Sequence, residues 1–494
     1  MVVTRSVPRL AVGVITAVAV ITAAAPTATA SPDDPGLRSK IRSVLQDGRV
    51  ADARSGAIVL DAGDGRELVK RHPGRGIIPA SNTKIATAVT AMHILGPGYR
   101  FKTEVIRRGK VSGGTLSGNL YLKGYGDPTL RRSDLERLAR RVRHAGIRTV
   151  TGKLIADASF FDNVGYNRTW NTDYADDYYA ATVSALTLAP DADFDAGTVR
   201  INYGPGKVAG KPARISFTPK AARTYLRVSN KATTGKRGAR MTFSASRRYG
   251  SATIKLRGKV PRGRSTGHTL ITVARPDLYA AGVFRAELAR AGVVVRGRTK
   301  AVSTPAGHRT VIARDTSMTL SKLLVPFLKL SNNTHAEALT KTMGTLKGRP
   351  GNWADGLSYT RAYLKQLGAP MKHVRLHDGS GLSRGNRLTA RGLARVLYKV
   401  QRAPWFKSFY AALPVAGNTK RMVGGTLRHR MNGTRAANNA RAKTGTLTGV
   451  TALSGYVRGR DGRRYVFSML SNYSGASPRP VEDEFVRALA ARRR

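Results

Sequence analysis

Between about residues 99 and 275 the chain changes its periodicity, and that change limits the possible folds more than any other feature. On either side, apolar residues recur at helical spacing: after Pro79–Lys84, and over 277–291, 317–346, 353–367 and 388–402. In between, short alternating runs such as Asn119-Leu120-Tyr121-Leu122-Lys123 and Ser251-Ala252-Thr253-Ile254-Lys255-Leu256 are separated by glycine-rich turns. One amphipathic helix, 133–145, interrupts them, with Ser133 and Glu136 at the spacing of a capping box. Strand patterns return at both ends. Gly56–Leu60 and Glu67–Lys70 flank a turn near the start, and 448–457 and 463–470 precede a helix at 480–492. A helical period cannot serve as a strand period. The outer parts therefore read as one α/β (α+β) domain, and the middle as a β-rich insertion within it.

The expected boundaries are 31–98 and 276–494 for the outer domain, 99–189 and 259–275 for the insert, and 190–258 for a further nested β-rich unit. The nested unit is especially strand-like and basic. Residues 1–30 have the form of a secretory signal. Arg5 and Arg9 precede an apolar run, and Ala28-Thr29-Ala30 supplies a small-x-small cleavage site. The mature chain is then expected outside the cytoplasm, with no later stretch long enough to span a bilayer.

There is no cysteine, so an exported chain of this kind must draw its stability from a large core rather than disulfides. Thiol catalysis and thiolate zinc sites are excluded. The formal net charge is +56, or +54 without Arg5 and Arg9. Such a field attracts polyanions. No aromatic–basic nucleic-acid motif appears, so anionic wall polymers or a merely solubilising basic surface are the readings outside a cell.

Ser81 and Lys84 stand three apart at a helix start, which puts both on one face with the positive end of the helix dipole close by. Serine needs such a proton acceptor to become a nucleophile. Two further stretches join it: Ser331-Asn332-Asn333 before a helix, and Lys443-Thr444-Gly445-Thr446 before an alternating strand. Ser331 can relay a proton, Asn333 can bond Lys84 and a substrate amide, and Lys443 supplies a fixed charge for a terminal carboxylate. Thr444 and Thr446 can help hold that carboxylate, and Gly445 leaves room for substrate at the strand edge. The backbone N–H groups of Ser81 and Thr446 are the candidate oxyanion donors.

Ser-x-x-Lys, Ser-x-Asn and Lys-Thr-Gly in this order resemble the signature of penicillin-binding proteins and serine β-lactamases. With Asp378-Gly379-Ser380-Gly381-Leu382-Ser383-Arg384, Gly126–Leu130 and the 247-position gap from Lys84 to Ser331, the chain resembles low-molecular-mass class C penicillin-binding proteins. These are the D-alanyl-D-alanine carboxypeptidases/endopeptidases of peptidase family S13. Asn332 stands where many of that family carry Asp.

The resemblance implies a serine β-lactamase/transpeptidase-like domain with inserted β-rich domains. It implies an acyl-enzyme on Ser81 formed from peptidoglycan stem peptides, inhibition by β-lactam antibiotics, and no metal or organic cofactor. Arg384 is then a candidate for a carboxylate of the substrate's diaminopimelate, and Asp173 and Asp176, near Trp170, for its amine. A β-lactamase or D-amino peptidase on the same scaffold, or a non-catalytic basic wall-binding protein, are the alternatives.

Three decoys are set aside. Ser117-Gly118-Asn119 reads as hairpin-turn chemistry. Gly381–Gly385 fits G-x-S-x-G, but no acid lies between Ser383 and His429, the only later histidine. Asp61, Asp64 and Glu67 read as a hairpin turn rather than a calcium loop.

Overall fold

The computed structural model describes residues 35–305, 307 and 309–493; the signal-peptide reading of residues 1–30 lies outside them. The fold is mixed α/β. Its catalytic half is built on a five-stranded antiparallel sheet in the order Arg441–Leu447, Val450–Arg458, Arg464–Asn472, Arg54–Asp61, Glu67–Arg71. The two ends of the chain thus share one sheet, with Arg54–Asp61 paired along its length to Arg464–Asn472.

That sheet is covered on both faces, and the sequence of its central strand shows why. Along Arg464–Asn472, Val466 and Leu470 enter one core while Tyr465, Phe467 and Met469 enter another, as the two-residue period of a strand requires. On one face lie the helices Pro35–Leu45 and Arg479–Ala491, packed through Leu37, Ile41, Phe485 and Leu489. On the other lie Thr83–Ile94, Leu320–Lys329, Asn333–Gly344, Trp353–Gln366 and Ala390–Lys399. Each fully buried Leu, Ile or Phe contributes about 1.5–3 kcal/mol relative to exposure, so two such cores stabilise a chain without cysteine.

The helical pattern over 317–346 is interrupted at Leu330–Asn332. Ser331 takes a left-handed backbone conformation there, with φ 63°. The break places Ser331 between the two helices, where it meets Lys443 of the edge strand, and Asn333 at the start of the second, where it meets Lys84.

A third core belongs to a seven-stranded sheet that includes Lys102–Ser112, Thr115–Gly124, Leu154–Asp157, Thr299–Ala301 and Thr310–Thr316. Helices Arg132–His144 and Pro276–Arg290 pack on it through Leu135, Leu138, Tyr279, Val283 and Phe284. Helix 276–290 was expected in the catalytic part. Its apolar face is instead buried with the insert, and Thr310–Thr316 pairs with Lys102–Ser112. We therefore propose that the insert runs to Thr316 and not to 275.

Three small sheets form the nested unit. Gly267–Thr272, assigned from sequence to the outer insert, pairs with Thr198–Gly204 inside it. The capping box is also displaced. The helix begins at Arg132, the Arg131 N–H donates to Asp134 Oδ2 at 2.7 Å, and Glu136 pairs with Arg132 and Arg140 instead. Ser117-Gly118-Asn119 lies within the strand Thr115–Gly124, not in its turn.

Among the described residues no helix is long and apolar enough to cross a membrane.

Candidate active site

Ser81 lies in a single 3-10 turn, Ala80–Asn82, that leads into the helix Thr83–Ile94. The turn is tightly specified. Ala80 has φ 45°, Thr83 Oγ1 donates to Ala80 O, and buried Asn82 donates through Nδ2 to Lys443 O at 3.0 Å. That last bond ties the turn to the strand Arg441–Leu447.

Lys84 is fully buried one helical turn on. Its Nζ donates to Ser81 Oγ at 2.9 Å, to Asn333 Oδ1 at 2.6 Å and to the Ser380 carbonyl at 2.8 Å. Burial holds the ammonium down to about 7, against the opposing pull of the Asp378 and Glu337 carboxylates. An amine near neutrality, bonded to a serine hydroxyl, is a general base in position.

On the far side, Lys443 Nζ donates to Ser331 Oγ at 2.9 Å and to its neighbour's carbonyl, Thr444 O, at 2.9 Å. Burial, and then the Lys84 charge, hold Lys443 well below its usual range. A carboxylate arriving beside it would favour its charged form. Ser331 is thus coupled to Lys443 rather than directly to Lys84. Asn333 bonds Lys84 through its oxygen and donates through Nδ2 to Tyr179 O at 2.7 Å.

These groups open on a cleft of about 440 Å³ lined by Ser81, Ser331, Asn333, Thr444 and Thr446 among others. The five catalytic candidates from the sequence therefore converge. Thr444 Oγ1 donates to Thr426 Oγ1 at 2.8 Å, and Thr446 Oγ1 accepts from Arg479 at 3.3 Å. Ser81 is the second residue of its helical segment, whose first N–H groups have no partner within the helix. Its N–H is available as an oxyanion donor.

Gly445 has a different reason from the one expected. A Cβ there would stand 2.6 Å from Pro79 O and 3.1 Å from Asn82 Nδ2. The missing side chain lets the strand approach the serine turn; the space is filled by backbone and not left for substrate.

Arg384 is exposed and donates through Nη1 to Thr448 O at 3.0 Å, which places it beside a residue of the cleft lining. Asp173 and Asp176 do not join the site. Asp173 is exposed and bonded to Asn171, while Asp176 accepts from the Arg247 N–H at 3.3 Å in the nested unit. Their short polar side chains serve local turns and packing.

The Asp378–Arg384 stretch acts behind Lys84. Glu337, fully buried, accepts from Trp353 Nε1, Gly379 N and Ser380 N at 2.7, 2.9 and 2.8 Å. Burial, reinforced by the Asp378 carboxylate, pushes Glu337 up from the usual range. Asp378 accepts from Trp170 Nε1, Gly381 N, Ser383 N and Asn386 Nδ2. Together they fix the loop that presents the Ser380 carbonyl. Ser383, the serine of the G-x-S-x-G match, is buried with Oγ accepting from Thr169 Oγ1 at 2.7 Å.

Sequence reasoning missed Glu337, Asn82 and Asp195. Asp195 lines the cleft, and burial and then Asp191 and Asp193 push its carboxyl up to about 7. A run of three alternating aspartates was its only trace in the sequence. Asp61 and Asp64 accept from N–H groups of their own turn and Glu67 pairs with Arg391.

The D-Ala-D-Ala carboxypeptidase 3 (S13) family model matches residues 37–492. The chain belongs to this family. It is 40% identical over 463 residues to a D-alanyl-D-alanine carboxypeptidase of Actinomadura sp., covering 92% of this chain and 84% of that one. A D-alanyl-D-alanine carboxypeptidase DacB of Haemophilus influenzae is 26% identical over 419 residues, 83% of each. In three dimensions, penicillin binding protein 4 of Haemophilus influenzae superposes with a TM-score of 0.77 at 23% identity, over 91% of this chain and 98% of that one. The shared fold spans the catalytic half and the insert together. With the family comes its class of chemistry: this is a serine DD-peptidase.

Proposed function

We propose that Ser81 of this chain attacks the carbonyl between the last two D-alanines of a peptidoglycan stem peptide. The same attack on a D-alanyl–diaminopimelate cross-link would make the protein an endopeptidase. The observation that carries the reading is the 2.9 Å bond from a buried, near-neutral Lys84 to Ser81 Oγ.

Lys84 takes the serine proton as the Oγ–C bond forms. The N–H groups of Ser81 and Thr446 receive the oxyanion. Lys443, with Thr444 and Thr446, grips the terminal carboxylate, and Ser331 hands a proton to the departing amine as the C–N bond breaks. Lys84 passes the proton it took on to replace the one Ser331 gave, and is neutral again. Water, deprotonated by Lys84, then attacks the acyl carbon, and Ser81 Oγ takes that proton back as the Oγ–C bond breaks and the peptide leaves. A β-lactam carbonyl would acylate Ser81 by the first of these steps.

Arg384 at the rim suits a second carboxylate of the substrate. Asp195 suits an amine better than Asp173 or Asp176, because it alone of the three lines the cleft. An extracytoplasmic location and association with anionic wall polymers complete the reading, the latter supported by the net charge of +56.

Release of D-alanine from a synthetic stem pentapeptide tests it. Wild type should release one equivalent per peptide and Ser81→Ala essentially none. Release by Ser81→Ala at the wild-type rate would overturn it.

A further inference from the structure

The positive charge of this chain is not evenly spread. Between Asp195 and Asp277 there are 81 residues, nineteen of them Lys or Arg, and none is Asp or Glu. This span is the nested unit of three small sheets. Of its cations, Arg247 is buried and bonded to backbone, Arg200 is half-buried beside Asp191, and Arg275 pairs with Asp277. The other sixteen are exposed, and among the described residues no carboxylate lies within ion-pair distance of any of them.

One sheet of the unit turns this composition into a surface. Its strands are Ser244–Arg247, Thr253–Arg257 and Arg227–Asn230. Ile254 and Leu256 point into the core. The opposite face carries Arg227, Ser229, Ser244, Ser246, Thr253, Lys255 and Arg257. The register sets Lys255 between Ser246 and Ser229, and Arg257 opposite Ser244. Residues two apart on a strand are about 7 Å apart and neighbouring strands about 4.8 Å. Lys255 and Arg257 therefore sit within one screening length, about 8 Å at physiological salt, and Arg227, opposite Thr253 on the adjoining strand, is about as far from Lys255 on its other side. Their mutual repulsion is left unrelieved by the fold, and a bound polyanion would relieve it while releasing its own counterions.

We propose that this sheet face docks a flexible phosphodiester polymer of the cell wall. The choice of occupant rests on the DD-peptidase reading, which puts the protein among wall polymers. It also rests on the chemistry of the face. Its side chains are cations and hydroxyls, with no aromatic platform on which unstacked bases could lie and no apolar residue to enter a lipid surface. The sheet face then tethers the enzyme to the wall while the cleft, which holds Ser81, works on the peptides.

The test measures binding of the full chain to purified poly(glycerol phosphate) across a salt series. Three preparations are compared: wild type, the face variant Arg227→Glu/Lys255→Glu/Arg257→Glu, and a control of equal charge change, Arg361→Glu/Lys365→Glu/Lys372→Glu, on the exposed surface of the catalytic half. Wild type should bind, and the face variant should bind at least ~10-fold more weakly. The log–log salt slope should shrink by roughly 2–3, at ~0.7–0.9 per lost contact. The control should stay within about two-fold of wild type. If the face variant is misfolded by thermal unfolding, the corresponding triple Gln variant takes its place with the same direction of effect. Equal losses in both triples would reduce the proposal to diffuse charge and overturn it. So would no binding by wild type, or equal binding to phosphatidylglycerol vesicles or to oligothymidylate. Acylation by benzylpenicillin, read on each preparation, reports the peptidase site separately. It should be unchanged in both triples, and its absence from wild type would refute the peptidase reading without altering the polymer result.

Discussion

Replacing Gly445 by alanine tests whether this glycine serves the substrate or the serine turn. The added Cβ would meet the Pro79 carbonyl at 2.6 Å, where real Cβ atoms do not come closer than 3.0 Å, and Ala452 Cβ and Asn82 Nδ2 at 3.1 Å. Pro79 is backbone and Asn82 is buried and bonded to Lys443 O, so neither can swing aside. The strand and the turn must separate by ~0.4 Å or more, at an overpacking cost of about 1–3 kcal/mol. That movement separates Ser81 and Lys84 from Lys443 and Ser331. A 1 Å misplacement costs about 10²-fold in rate, so a loss of ~10-fold is expected here. The assay is the second-order rate of benzylpenicillin acylation followed by intact mass, with a urea titration of the unliganded protein beside it. Both the rate and the unliganded stability should fall. Were the glycine only making room for substrate, the unliganded protein would keep its full stability; that result, or a wild-type acylation rate, would refute the reasoning.

Lys84 must be neutral to accept the proton, and burial holds it to about 7. Acylation should therefore rise about tenfold per pH unit below 7 and level off above it, and a flat profile between pH 5 and 8 would contradict this. The same depressed value means that Lys84 contributes most to stability above its unfolded value of 10.5, and that this contribution is lost as pH falls toward 7. In Glu337→Gln the new amide group must face at least one of the three N–H donors, leaving it unsatisfied at a cost of about 1–3 kcal/mol. Stability in urea should fall by that amount with a slower acylation, and an unchanged transition would show that the Ser380 loop holds without the carboxylate. Asp195→Asn should lower kcat/KM by ~10-fold for a stem peptide with a free side-chain amine and leave its N-acetylated form unaffected. Equal losses on both peptides would remove Asp195 from amine recognition.

The reacting groups were legible because each comes from a short stretch with an unusual residue pattern. Ser81 and Lys84 are three apart, and Ser331–Asn333 and Lys443–Thr446 are single tripeptide or tetrapeptide signals. What holds those groups is carried by pairs far apart in the chain. Glu337 meets the Gly379 and Ser380 N–H groups across about forty residues, and Asn82 meets Lys443 O across 361. No local pattern announces such a contact. The helix Pro276–Arg290 was assigned to the wrong core for a related reason. Its sequence is apolar on several sides, and only the neighbouring sheet decides which core receives it. Gly445 was correctly singled out, but the reason lay in a backbone approach from residue 79, which composition cannot reveal. Asp173 and Asp176 were drawn in by their nearness to Trp170 in sequence. Trp170 itself faces Asp378.

The central claim is that Ser81 is the nucleophile of a penicillin-acylated peptidase. Intact mass after incubation with benzylpenicillin, on wild type and Ser81→Ala, reaches it most directly. A single covalent adduct on wild type and none on Ser81→Ala is the predicted result. An adduct on both, or neither an adduct nor penicillin turnover on wild type, would contradict it.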